Sequence, residues 1–189
     1  MISYNNKFVF IHIPKTAGQS IKQVLQAGAP DAIHLPHMSV QQHLEWLGTT
    51  QYEQLFTFSF VRNPWARWVS MYHYFKKKKR GKHFNEVDPA LPFNEWLPKQ
   101  VPLKPNTYLD WLKKENGELG VQFIGKVEEI EKDVRHVCAL LGFKIIPTEI
   151  PKINTSTHNP YQTYYSEESK RLVEEHHAAD IEFFKYEFA

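Results

Sequence analysis

With 189 residues, 42% of them apolar, the chain is long enough to bury one core without disulfide or metal staples, and a single domain over 1–189 is the expectation. Its 23 Lys and Arg nearly cancel 21 Asp and Glu, which excludes a histone-like protein and a disordered acidic one. The lone cysteine, Cys138, excludes an internal disulfide, a thiolate zinc cluster and a Cys-x-x-Cys redox pair, and suits a reducing compartment.

Phe8 to Ile13 is a near-continuous apolar run stopped by Pro14, the pattern of a strand buried on both faces of a parallel sheet. It is far too short to span a membrane, and it lacks the basic flank and small-residue cleavage site of a leader. A cytoplasmic chain, or a catalytic domain of something longer, is the expectation. From Ser20, the spacing of Ile21, Val24 and Leu25 predicts a helix lying on the sheet. His37 to Gly48 reads as another helix, with Val40, Leu44 and Leu47 on one side.

Leu55 to Val61 is a second strand, and Arg62-Asn63-Pro64 then supplies a turn with Asn63 as N-cap and Pro64 at the first helical position. The helix is expected over Trp65 to Phe75. Lys76, Lys77, Lys78, Lys79, Arg80 and Lys82 follow, and without these six the acidic residues outnumber the basic ones. Phe84 to Pro105, rich in proline and aromatic residues, reads as a loop-rich insertion. Gly120 to Val127 holds a short strand. Ile130, Val134, Val137 and Leu141 repeat at helical spacing up to Gly142, and Cys138 in that stripe reads as a core thiol. A last helix from Ser166 should carry Leu172, His176, Ala179 and Phe183 along one face. His176 and His177, in mid-helix, read as structural or solvated. Strands alternating with helices predict a three-layer α/β domain with a mostly parallel central sheet, whose ligands bind beyond the carboxyl ends of the strands.

Both strand-to-helix turns lie at that end. Pro14-Lys15-Thr16-Ala17-Gly18-Gln19-Ser20 offers small residues, backbone N–H groups at a helix start, and the charge of Lys15, an arrangement suited to an anion. The lysine precedes the glycine and no upstream glycine arch exists, so this is not the G-x-x-x-x-G-K-[ST] phosphate loop, and a kinase or GTPase reading weakens. A plain turn with a surface lysine is the alternative. The second turn gives Arg62, with Arg67 and Ser70 in the helix after it, again a cation and a hydroxyl near a helix start. A helix-start ion pair and a solvated serine are the alternative there.

FIHIPKTAGQSI (Phe10 to Ile21) followed by FSFVRNPWARWVSMY (Phe58 to Tyr72) resembles the paired signature of sulfotransferases that use 3'-phosphoadenosine 5'-phosphosulfate, and is most similar to the carbohydrate branch, which includes heparan and chondroitin O-sulfotransferases. FIGKVEEIEKDVRHVCALLGF and the ending NTSTHNPYQTYYSEES…DIEFFKYEF continue the resemblance over almost the whole chain. It implies a P-loop-like fold. It implies that Lys15, Thr16, Ala17, Gly18, Gln19 and Ser20 bind the 5'-phosphosulfate, that Arg62 and Ser70 bind the 3'-phosphate, and that Lys15 also neutralises charge on the leaving oxygen. No metal is expected, since a sulfuryl group carries less charge than a phosphoryl group and the sequence shows no compact carboxylate cluster.

The acceptor hydroxyl must lose a proton, and a base with a pKa near the working pH is the efficient choice. His37, in HLPHMSVQQH, is the first candidate, with His34, His43, His12 and Glu45 as rivals. A metal reading of His34, His37 and His43 lacks a completing carboxylate or thiolate. His158 stands where relatives often carry a fixed cation near the nucleotide, so 3'-phosphate affinity is expected to depend on pH. The acceptor is expected to be a saccharide, polyanionic if the lysine run recruits it; nucleic acid is not expected. A competing reading is a polyanion- or nucleic-acid-binding module that grips its ligand through Lys76 to Lys82 beside a vestigial nucleotide site.

Overall fold

The computed structural model describes residues 1–78, 88, 90–103, 107–144, 149–151, 153 and 158–189. Its contacts separate two compact units, Met1–Arg62 with Tyr108–Asn154, and Asn63–Thr107 with Thr155–Ala189.

The first unit is built on a four-stranded sheet in the order β1 (Ile2–Ser3), β2 (Phe8–Ile11), β3 (Phe56–Val61) and β4 (Phe123–Lys126). β2, β3 and β4 are parallel, and β1 lies antiparallel along β2. Every residue of β2 is buried, as its unbroken apolar run requires of a strand covered on both faces. Phe8, Phe10, Phe58 and Phe60 point to one face, where they meet Ile21, Val24 and Leu25 of α1 (Gly18–Gly28) and Val134, Val137 and Cys138 of α7 (Ile130–Leu140). The Phe10 and Phe58 rings stack at 5.3 Å, and each such buried side chain contributes about 1.5–3 kcal/mol. Gly125 makes room for this layer, because a Cβ there would come within 2.5 Å of the Phe60 ring. Cys138 is fully buried in the same layer, and burial pushes its thiol pKa up.

α2 (Val40–Leu47) starts at a capping box in which Ser39 and Gln42 exchange side-chain and backbone hydrogen bonds, so the helix expected from His37 begins three residues later. α3 (Thr49–Glu53) brings Tyr52 inward, where its hydroxyl donates to the Gly120 carbonyl at 2.7 Å. α6 (Tyr108–Leu112) completes the unit.

The second unit is helical. In α4 (Pro64–Lys78) the Asn63 Oδ1 accepts the Ala66 amide at 3.2 Å, the N-cap that the sequence predicts, and the helix runs three residues past the expected end into the lysines. Lys79, Arg80 and Lys82 lie outside the described residues. The segment from Phe84 to Pro105, expected to be loop-rich, contains α5 (Phe93–Gln100) and a 3-10 turn at Val101–Leu103. The aromatic residues of that segment serve a helical core: Phe93 and Trp96 are buried, and Trp96 meets Tyr72 at 5.3 Å and Trp68 at 6.2 Å.

The expected last helix is two helices, α8 (Glu167–His176) and α9 (Ala178–Phe184), broken at His177. The expected stripe is also displaced: Ala179 and Phe183 are exposed, and the buried residues are Ser169, Val173, His177, Asp180 and Phe184. Two polar residues occupy core positions because they satisfy one another. The His177 Nδ1–H donates to Asp180 Oδ2 at 2.9 Å, and His177 Nε2 accepts the Trp68 indole N–H at 3.0 Å. Burial, opposed by the Asp180 hydrogen bond, keeps the His177 pKa low and its ring neutral, as acceptance at Nε2 requires. Asp180→Ala leaves that Nδ1–H without its acceptor and should lower unfolding stability by about 1–3 kcal/mol, read from the urea midpoint.

Candidate active site

The parallel register that sets Ile11 opposite Ser59 brings the carboxyl ends of β2 and β3 to the same edge of the sheet. The Ser59 hydroxyl donates to the Ile11 carbonyl at 2.8 Å and ties the two ends together. From that edge the chain enters the Lys15 loop on β2 and Arg62 on β3, both within the first unit.

Left-handed backbone marks the loop. Lys15 has φ 70° and Ala17 has φ 57°, two of the four non-glycine residues with positive φ among those described. A side-chain-bearing residue in this region costs about 1–2 kcal/mol, a strain that persists where the surroundings hold it and that clusters at functional sites. Thr16 supplies part of the hold, since its buried hydroxyl donates to the Ile13 carbonyl at 2.9 Å. The resulting turn starts α1 at Gly18 with Ala17 as a cap residue that has no side chain to offer, whereas α2, α4 and α8 all begin with a side-chain cap. The first amides of α1 are therefore left for something other than a cap.

Gly18 is required here for contact rather than for φ. A Cβ on it would fall 1.8 Å from His12 Nε2, so the helix start and the His12 ring touch. His12 is 6% exposed, and burial first, then the charges of His37 and Lys22, pull its pKa down to about 2. Its backbone carbonyl has a second partner: His37 Nδ1–H donates to it at 2.7 Å. A carbonyl only accepts, so the bond fixes the proton on Nδ1 and leaves Nε2 with its lone pair. His37 Nε2 has no hydrogen-bond partner among the described residues, and the residue is exposed. Burial, opposed by the His12 carbonyl bond and assisted by Lys22, holds the His37 pKa below its ordinary value. Its ring centroid lies 4.3 Å from that of His12 and 6.4 Å from that of Trp111, to which it stands nearly perpendicular.

The rival bases have other engagements. The exposed His34 bonds Gln26 Oε1 through Nε2 at 2.9 Å, and Glu45 accepts from Gln41. His43 is 1% exposed and donates through Nδ1 to the Ser39 carbonyl at 2.8 Å. Among the described residues no group of three or more His, Cys, Asp or Glu stands where it could hold a metal ion, so His34, His37 and His43 do not converge. Nor is any helix long and apolar enough to cross a membrane, within the same residues.

Of the residues read as nucleotide-binding, Lys15 and Ala17 are half-buried and Gln19 is exposed. Ser20 is buried, and its hydroxyl accepts the Ile153 amide at 3.2 Å, which leaves its own O–H as a donor. Arg62 is half-buried, and its carbonyl accepts the Tyr108 hydroxyl at 2.6 Å. Ser70 belongs to the second unit, on α4, where it is 8% exposed. One turn along the same helix, His73 Nε2 bonds the Tyr164 hydroxyl at 2.9 Å and its ring stacks on His158 at 4.9 Å. Arg67 is only 2% exposed, and its charge acts on buried His177.

Sequence reasoning overlooked Lys22. Gly18, Ile21, Lys22 and Leu25 share one face of α1 at helical spacing, so a lysine at a core-facing position was the available signal.

The model of the family described as "Sulfotransferase family" matches residues 1–187. An uncharacterized protein of Archaeoglobus fulgidus is 32% identical over 117 residues, which span 61% of this chain and 90% of that protein. Among solved structures, the crystal structure of mouse sulfotransferase SULT7A1 complexed with PAP matches with a TM-score of 0.55 and 15% identity, over 97% of this chain and 85% of the mouse chain. That likeness is one of fold: the P-loop-like arrangement of a mostly parallel sheet flanked by helices is the expected one.

Proposed function

The chain belongs to the sulfotransferase family, and from that membership we propose that it moves a sulfuryl group from 3'-phosphoadenosine 5'-phosphosulfate to a hydroxyl of a carbohydrate acceptor, releasing adenosine 3',5'-bisphosphate. One observation carries the reading most of the way. The His37 Nδ1–H to His12 carbonyl bond anchors a neutral imidazole, with Nε2 open, to the backbone three residues before Lys15. A base and a cationic, uncapped helix start are thereby held together in one unit.

In this reading the amides from Thr16 to Ser20 and the Lys15 ammonium bind the 5' end of the donor, and Lys15 balances charge growing on the leaving oxygen. The residues fit such a donor: the loop is strained into left-handed backbone, and α1 starts without a side-chain cap. His37 Nε2 takes the proton of the acceptor hydroxyl as that oxygen attacks sulfur. Trp111, whose ring stands nearly perpendicular to that of His37, offers a wall for a sugar ring, which supports a saccharide acceptor. Arg62 and Ser70 are assigned to the 3'-phosphate. His73, one turn from Ser70 on α4, makes that affinity rise as pH falls, because a protonated imidazole attracts the phosphate; burial, then the charges of His158 and Lys76, lower its pKa. A buried free Cys138 accords with the reducing cytoplasm to which we assign the protein.

Calorimetry with adenosine 3',5'-bisphosphate, AMP and magnesium ATP tests the nucleotide assignment. The bisphosphate should bind and magnesium ATP should not; the reverse order would return the protein to another nucleotide class. Arg62→Ala and Ser70→Ala should each weaken the bisphosphate by about 1.5–3 kcal/mol while leaving AMP nearly unchanged. Equal losses for both nucleotides would instead mean damage to the fold.

A further inference from the structure

His12 stands where packing alone asks for a phenylalanine. Phe8, Phe10 and His12 alternate along β2 and the residue that follows it, and the His12 ring continues the stack, 5.6 Å from Phe10 at an interplanar angle of 17°. A phenylalanine would fill that place without a polar atom. An imidazole brings one N–H and one lone pair, and the His12 ring uses neither in a hydrogen bond among the described residues; the bond to His37 belongs to its backbone carbonyl. The residue is only 6% exposed. A buried donor without an acceptor is costly, and native proteins seldom keep one unless a partner arrives from outside the chain. The surroundings show what that partner is. Gly18, the first residue of α1, comes so close that a Cβ on it would lie 1.8 Å from His12 Nε2, and that helix start has no side-chain cap. On the ring's other contact is His37, its centroid 4.3 Å away. An uncapped helix start and an unpaired N–H beside the base form a set of donors suited to an oxyanion.

We propose that the His12 N–H donates to an oxygen of the oxyanion at the 5' end of the donor nucleotide, on either the 5'-phosphate or the sulfuryl group. The identity of that anion rests on the sulfotransferase reading, whereas the unpaired ring at the helix start does not. His12 acts as a neutral donor beside the charged Lys15. Burial and the positive charges around it pull its pKa down to about 2, so the ring offers a hydrogen bond without competing for the acceptor's proton.

Calorimetry on the full chain tests this with two titrants at constant ionic strength. One is adenosine 3',5'-bisphosphate, which carries no sulfuryl group; the other is sodium sulfate, added to the free protein and to protein saturated with the bisphosphate. His12→Phe keeps a ring and removes the N–H, whereas His12→Gln removes the ring and keeps an N–H at similar reach. Affinity should follow the N–H. His12→Phe should weaken at least one titrant about tenfold or more, the scale of a lost charge-assisted hydrogen bond, and His12→Gln should hold that titrant within about threefold of wild type. A loss on the bisphosphate assigns the 5'-phosphate oxygen, and a loss on sulfate assigns the sulfuryl oxygen. A ring needed only for packing gives the reverse pattern: His12→Phe binds as wild type does, while His12→Gln binds weakly and melts lower. That result overturns the proposal, and so does equal affinity in the two variants, whether kept or lost. A wild type that binds sulfate but no bisphosphate sinks the nucleotide reading, and the sulfate titrations then decide the role of His12 alone. A wild type that binds neither overturns both. Should His12→Phe fail to fold, His12→Leu, which also lacks the N–H, is compared with His12→Gln in the same way.

Discussion

Lys15→Ala is expected to lower turnover about 100- to 1000-fold, the usual loss when a group aimed at charge developing in the transition state is removed. The alanine variant should hold adenosine 3',5'-bisphosphate nearly as well as wild type, because the amides from Thr16 to Ser20 remain and Arg62 and Ser70 are untouched. Single-turnover measurements with saturating donor separate the two quantities: the chemical step should fall and the nucleotide dissociation constant should hold. The left-handed backbone at residue 15 makes the choice of substitution matter. Alanine tolerates that conformation about as poorly as lysine does, so the change removes the charge without relieving the strain. Turnover at the wild-type rate would take Lys15 out of the mechanism.

His37→Ala should lower the maximal rate about 100- to 10,000-fold, the range for loss of a general base, with nucleotide affinity kept. The pH profile gives the sharper reading. The imidazole works only when neutral, so the rate should climb as pH rises through the His37 pKa and level off above it. Burial together with the charges of Lys22 and the amino terminus lowers that pKa, against the opposing pull of the His12 carbonyl bond. The acid limb should therefore lie below the ordinary histidine value of about 6.5, and should disappear in the alanine variant. An unchanged profile would pass the role to His34 or His43. His12 is a poor heir, since burial first, then the charges of His37, Lys22 and the amino terminus, pull its pKa down to about 2, too low to hold the acceptor's proton, and its ring is pressed against Gly18.

Local pattern made much of the frame legible. The apolar run at Phe8, the alternation of strand and helix, the Asn63-Pro64 helix start and the stripe containing Cys138 are short-range signals, because strand burial, capping and helical periodicity are properties of a few consecutive residues. The Lys15 loop and Arg62 were legible for the same reason, each being a contiguous turn after a strand. What the sequence by itself determined is thus the set of turns that can meet an anion and the α/β architecture carrying them. Tertiary structure decided the rest. Polar residues in core positions deceived the periodicity at the C-terminal end: His177 and Asp180 are buried because each satisfies the other and Trp68 satisfies the ring, partners that lie three and 109 residues away from His177. The tautomer of His37 depends on a carbonyl 25 residues earlier, and no spacing rule encodes that bond. Lys22 is the clearest case. Its sequence neighbours make it an interruption in an apolar stripe, and only the folding of β2, α1 and the His37 segment brings its charge to act on His12, His34 and His37, whose pKa values it lowers, since electrostatic environment is a property of what packs together and not of what is adjacent in the chain.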